Sequence, residues 1–135
     1  KEIDMLLRQR DSLGQITERW IYMNPRPILE SNRTLVPVRV TSDRMDFAVE
    51  WDGERRQVLI SGENMEILLT IDSKRAVKRV FSEENDGKPE ETTLLMDCPP
   101  QIINGRTMIP LRFVSENFGR RVDWDPETLE VFIDL

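Results

Sequence analysis

The sequence predicts an α+β fold: an internally duplicated unit of antiparallel strands with one short helix per copy. Three observations predict it. A heptapeptide recurs, Arg33-Thr34-Leu35-Val36-Pro37-Val38-Arg39 returning as Arg106-Thr107-Met108-Ile109-Pro110-Leu111-Arg112. Most apolar residues elsewhere alternate with polar ones, the period of a strand. After each motif proline the spacing changes to that of a helix, with Leu111, Val114 and Phe118 on one stripe in the second copy.

The two motifs lie 73 residues apart (33 to 106), and the offset holds without a gap downstream. Ser42 falls on Ser115, Trp51-Asp52 on Trp124-Asp125, Val58 on Val131 and Ile60 on Ile133. Upstream, Leu7 and Ile16 resemble Leu68 and Val77 at the shorter offset of 61, which calls for an insertion in the second copy. The acidic, turn-rich stretch 82–93 supplies it. The expected organisation is a single domain of two pseudo-repeats, 1–60 and 61–135, with the polar loop 82–93 inserted in the second. A unit of about 60 residues is marginal alone, so the copies are expected to share a core.

The elements follow in order. Ile67, Leu69 and Ile71 alternate on a strand, Asp72-Ser73-Lys74 turns the chain, and 76–81 returns. Residues 93–96 form a strand ended by Pro99-Pro100. Asn104-Gly105 is a tight-turn signal before the strand 107–109. Pro110 opens a helix at the position that tolerates proline, and Gly119 ends it in the left-handed conformation. Val122 and Trp124 alternate before the turn 125–128, and Leu129, Val131 and Ile133 close the copy. In the first copy Val38, Thr41 and Met45 line the helix, 48–51 and 57–60 are strands, and Asp52-Gly53 turns between them. Asp46 replaces the stop glycine, so this helix is expected to end less tightly.

The 135 residues include no histidine and one cysteine. These counts exclude zinc fingers, histidine-based metal sites, Ser-His-Asp triads and Cys-His dyads. A net charge of −6 argues against nucleic acid as a partner. No apolar run is long enough to span a bilayer. Residue 1 is Lys and no signal-peptide core follows, so an export signal, if the protein is exported, lies outside this sequence. Carboxylates are numerous, but none stands in a motif that isolates an acid-base pair.

Several residues are candidates for a role. Trp51 and Trp124 read as core. Arg39 and Arg112 sit in the first helical turn, where the helix dipole disfavours a cation. Each is therefore expected to be clamped by a fixed partner, with Asp52 and Asp125 the candidates; an anion site is the functional alternative. Trp20 has no counterpart in the second copy. With Tyr22 and Arg26 it is a candidate partner surface, or a strand on the core. Lys74, Arg75, Lys78 and Arg79 form either a basic patch for an acidic wall polymer or a solvated hairpin. Cys98 reads as a small buried side chain or an incidental thiol.

Residues 104–119 (Asn-Gly-Arg-Thr-Met-Ile-Pro-Leu-Arg-Phe-Val-Ser-Glu-Asn-Phe-Gly), then Val122-x-Trp124-Asp125 and Val131-x-Ile133, resemble the signature of the copper amine oxidase N-terminal, or stalk, domain family. The first copy carries a degraded version, with Ser31-Asn32 for the Asn-Gly turn and Asp46 for the glycine. The likeness covers about residues 21–135. It implies an α+β domain in which an antiparallel sheet wraps the helices. It also implies a non-catalytic module, since in the oxidases the stalk is separate from the copper and topaquinone site. Neither catalytic residues nor a cofactor carry over, because that copper site needs three histidines. Arg33, Pro37, Arg39, Trp51, Asp52, Arg106, Pro110, Arg112, Trp124 and Asp125 are then structural motif residues.

Similar domains occur in exported and cell-surface proteins of Gram-positive bacteria and in phage-tail-like clusters. The resulting expectation is a structural module of an exported or surface protein, scaffolding self-association or binding a protein or cell-wall polymer. A phage or tail particle protein is the alternative, and a carboxylate-based glycoside hydrolase a remoter one. Trp124→Ala should cost roughly 3–5 kcal/mol if the indole is core. Denaturant unfolding of the variant checks this, and a change under about 1 kcal/mol marks a surface residue instead.

Overall fold

Alternating apolar residues build strands along most of the chain in the computed structural model, which describes residues 4–10, 13–21, 28–30, 33–43, 45–125 and 130–134. Thirteen strands and two short α-helices lie within the described residues. They are β1 (Asp4–Arg10), β2 (Ile16–Ile21), β3 (Ile28–Glu30), β4 (Arg33–Pro37), α1 (Arg39–Asp43), β5 (Ala48–Asp52), β6 (Gln57–Ser61), β7 (Met65–Thr70), β8 (Arg75–Val80), β9 (Glu90–Leu95), β10 (Gln101–Ile103), β11 (Arg106–Pro110), α2 (Leu111–Asn117), β12 (Arg121–Asp125) and β13 (Glu130–Asp134).

The class is therefore mostly β, which corrects the α+β expectation. Five-residue α1 is little more than one turn, and seven-residue α2 is about two. Neither is long enough for a sheet to wrap. Each packs locally instead, α1 on β5 and α2 on β12 and β4. The stretch 82–93 is also not wholly a loop. A 3-10 turn occupies Glu83–Asn85, and β9 takes its last residues. The strand bounds also recur: β3, β4, β5 and β6 each begin 73 residues before β10, β11, β12 and β13 (28 to 101, 33 to 106, 48 to 121, 57 to 130).

The chain divides into two compact units, one of Lys1–Pro37 with Pro110–Leu135 and one of Val38–Ile109. In the first, a four-stranded sheet runs in the order β12-β13-β1-β2. Its β1–β13 pair is parallel, and β1–β2 and β12–β13 are antiparallel. β3 and β4 form a hairpin in the same unit. Leu35, Val36, Leu111, Val114, Val122 and Ile133 are buried there.

In the second unit β5 to β9 form an antiparallel five-stranded meander, and β10 and β11 form a hairpin. Alternation assigns the meander's faces. Val58 and Ile60 on β6 lie opposite Leu69 and Ile67 on β7, and all four are buried. Ala76 on β8 extends the row from Leu69 and is also buried. Each of the four larger side chains, Val58, Ile60, Ile67 and Leu69, contributes about 1.5–3 kcal/mol by leaving water. The opposite face carries Leu59, Leu68 and Val77, half-buried, in a row with Thr93.

Trp51 corrects a second expectation. It lies on the core side of the sheet, opposite Val58, but on the edge strand β5 and 48% exposed. It caps the rim of the core and is not inside it. The side chain of Trp124 lies outside the described residues.

A residue in the left-handed conformation follows each helix. After α2, the Gly119 amide donates to the Glu116 carbonyl at 2.9 Å and the Arg120 amide to the Ser115 carbonyl at 2.8 Å. This is the paired closure of a Schellman motif, and it needs the left-handed φ of +78° at Gly119. After α1, Asp46 takes the same left-handed conformation (φ 65°), and the Phe47 amide donates to the Thr41 carbonyl at 2.9 Å. A Cβ at Gly119 would meet nothing within 4 Å, so substitution costs backbone strain alone. Gly119→Ala should lose about 1–2 kcal/mol in urea unfolding. A neutral result would show that the left-handed closure is dispensable.

Candidate functional site

Asp52 ends β5 and starts the turn to β6. One carboxylate oxygen accepts from the Glu54 amide at 3.1 Å and the Arg55 amide at 3.2 Å. The other accepts from the Arg55 guanidinium at 3.0 Å. An aspartate beside its own turn binds local amides most readily, because little chain entropy is lost. The Arg55 side chain first, then its amide, holds the carboxyl below the usual 3.8. Asp52 is thus a turn anchor paired with Arg55, which corrects the expected Arg39 clamp. Arg39 is exposed. Arg112 pairs with Glu116 on its own helix at 3.5 Å, both side chains half exposed. The side chain of Asp125 lies outside the described residues. Pro37 and Pro110 are buried, Arg106 is exposed, and the side chain of Arg33 is not described.

The four cations 74, 75, 78 and 79 do not make one patch. Register places Arg79 between Glu66 on β7 and Glu91 on β9. Its guanidinium donates to Glu91 at 2.9 Å and Glu66 at 3.1 Å, which raises its pKa further. Lys78 is on the opposite face of β8 from Arg75 and Arg79. That leaves Lys74 and Arg75 exposed at the β7–β8 turn. Arg56 and Asp72 join the two turns at this end of the sheet at 3.6 Å. Sequence reasoning missed the Glu66–Arg79–Glu91 triad, since only strand pairing brings residues 13 and 12 positions apart together.

Of the proposed partner surface, Trp20 lies on β2 opposite Leu6, with its side chain undescribed. Tyr22 and Arg26 lie outside the described residues. Cys98 is buried, its thiol 3.7 Å from the Pro99 carbonyl oxygen.

A shallow depression of about 490 Å³ in the first unit is lined by Arg112, Glu116, Gly119, Arg120, Arg121, Val122 and Asp123. It is wide open, and its charges are engaged at the surface, Arg112 with Glu116 and Arg121 with Asp123 at 3.4 Å. Among the described residues no three of Cys, Asp and Glu converge as a metal site. Among them, too, no helix is long and apolar enough to cross a membrane.

The chain is mostly β, with Asp52 anchoring its turn and surface ion pairs tying strands and helix together. The copper amine oxidase N-terminal domain model matches residues 15–133, and the chain belongs to that family. The family is a non-catalytic domain, in keeping with a structural module. Comparison with curated proteins and with solved structures gives no match.

The Asp52 arrangement predicts a pH dependence. A carboxyl held below its unfolded value adds stability that is present above the unfolded pKa and lost as pH falls through the folded one. Asp52→Asn keeps the turn shape and removes the charge. Wild type should exceed this variant in urea midpoint at neutral pH, and the gap should close as pH falls below about 3.8. A gap that persists in acid would assign the effect to the turn and not to the ion pair.

Proposed function

We propose that this chain is a structural module that presents a sheet edge and an outer sheet face to a protein or cell-wall partner. Its setting is an exported or cell-surface bacterial protein. The observation that carries the reading is that three of the candidate charged groups are spent on structure: Asp52 on its turn, Arg79 on its neighbours, Arg112 on its own helix. Membership of a non-catalytic domain family supports it. The recurrence of strand bounds at one offset supports two copies of one unit, 1–60 and 61–135. Each compact unit draws elements from both copies.

The copper of the family's name does not fit this chain. Copper(II) sites of the oxidase kind rest on imidazoles, and the sequence has none. The remaining side-chain donors are carboxylates, six methionine thioethers, one tyrosine and one thiol, which is buried, and without imidazole they do not make the oxidase's copper(II) site. Protein incubated with copper(II) and then desalted should retain no stoichiometric metal and oxidise no primary amine. One tightly held copper per chain, or amine turnover, would overturn the proposal.

A further inference from the structure

The strand β9 is the open edge of the five-stranded sheet. Five of its six residues are exposed, and Leu95 is 76% exposed. Edge strands are normally protected by charge, proline or a bulge. In β9 the charges, Glu90 and Glu91, stand at one end, and Thr92–Leu95 carries neither charge nor proline.

The ladder tells which groups face the open side. The Met96 amide donates inward to the Lys74 carbonyl at 2.6 Å. The neighbouring Arg75 amide turns to the Ser73 hydroxyl instead, at 3.2 Å. Antiparallel pairs alternate between bonded and non-bonded, so Leu94 and Thr92 also bond inward to β8. Glu91, Thr93 and Leu95 therefore direct their N–H and C=O groups away from the sheet.

We propose that this edge pairs with the same edge of a second copy of the chain, antiparallel about a two-fold axis at Thr93. The inference rests on the scaffold reading above and names its partner. Backbone parity allows the axis at any residue from Glu91 to Leu95, on a bonded pair at 91, 93 or 95 and on a non-bonded pair at 92 or 94. An axis at Glu91 sets two carboxylates face to face, which is unfavourable. An axis at Thr92 puts Leu95 opposite Pro89, outside the strand, and one at Leu94 puts Glu91 opposite the carboxylate of Asp97. An axis at Leu95 overlaps only half of the strand. At Thr93, the Thr93 residues exchange hydrogen bonds with each other, and Glu91 exchanges with Leu95 of the second copy. The exposed Leu95 then lies between its own cross-strand neighbour Arg75 and the incoming Glu91, with opposite charges on its two flanks. The row Leu59, Leu68, Val77 and Thr93 continues across the axis into its symmetry mate. A closed two-fold contact of this kind uses one surface twice and stops at a dimer.

Two variants separate this contact from any other. Thr93→Pro removes an amide that the sheet itself does not use, a substitution that edge strands tolerate. Leu95→Glu places a carboxylate beside Arg75, which suits the fold, and against Glu91 of the second copy, which opposes the dimer. Light scattering across concentrations should give wild type twice the 15.9 kDa of the monomer, and both variants the monomer mass with unchanged circular dichroism. A wild-type monomer at every concentration overturns the proposal. So does a dimer that survives Leu95→Glu, although the scaffold reading then stands on another contact. If Thr93→Pro unfolds, Leu95→Glu decides. Copper binding or amine turnover would instead overturn the scaffold reading and leave the mass measurement intact.

Discussion

The second unit depends on one register, the pairing of β6 with β7. Val58 and Ile60 lie opposite Leu69 and Ile67, and all four are buried on the same face. A strand has a side-chain period of two, so a slip of β7 by one residue against β6 would turn Ile67 and Leu69 outward and bring Leu68 in their place. The other strands inherit the choice. β5 adds Trp51 beside Val58, β8 adds Ala76 beside Leu69, and β9 adds Leu94 beside Ala76. Burial falls off from the middle of this row to its ends, so the same register makes Ala76 a core residue and Trp51 a rim residue.

Tight turns hold that register. Asp46, Arg56, Asp72 and Asn104 all have positive φ, a conformation that disfavours side chains with a Cβ. Three of the four are Asp or Asn, the residues that tolerate it best. Arg56 is the outlier. Its carbonyl accepts from the Ile71 amide at 2.9 Å and its guanidinium reaches Asp72 at 3.6 Å, so neighbouring strands offset the strain.

Local chemistry was legible in the sequence. The Asn104-Gly105 turn, the Gly119 stop and the β6 and β7 strands follow from residue type and spacing alone. What sequence could not supply was strand order. Trp51 alternates like a core residue, and only the position of β5 at the edge exposes half of it. The clamp expected for Arg39 failed for a related reason. Asp52 had a nearer cation three residues away, and proximity along the chain prevailed. The class was misjudged because an apolar stripe at 111, 114 and 118 gives a helix its face but not its length. The strand at 121 and the stop at Gly119 confine it to two turns.

Strand order also decides where function can reside. One face of the meander is committed to the core. The other offers a half-buried apolar row, a line of ion pairs and a free edge. The Glu66–Arg79–Glu91 triad joins these features. Arg79 shares its charge with two carboxylates across three strands, and the ties to Glu66 and Glu91 fix β9 against β8 at the end remote from Leu95. Partly exposed ion pairs stabilise a fold only slightly, on the order of 1 kcal/mol or less. Their larger effect here is positional. They hold an otherwise exposed strand straight along its inner side, and they do so without occupying any of the backbone groups on its outer side.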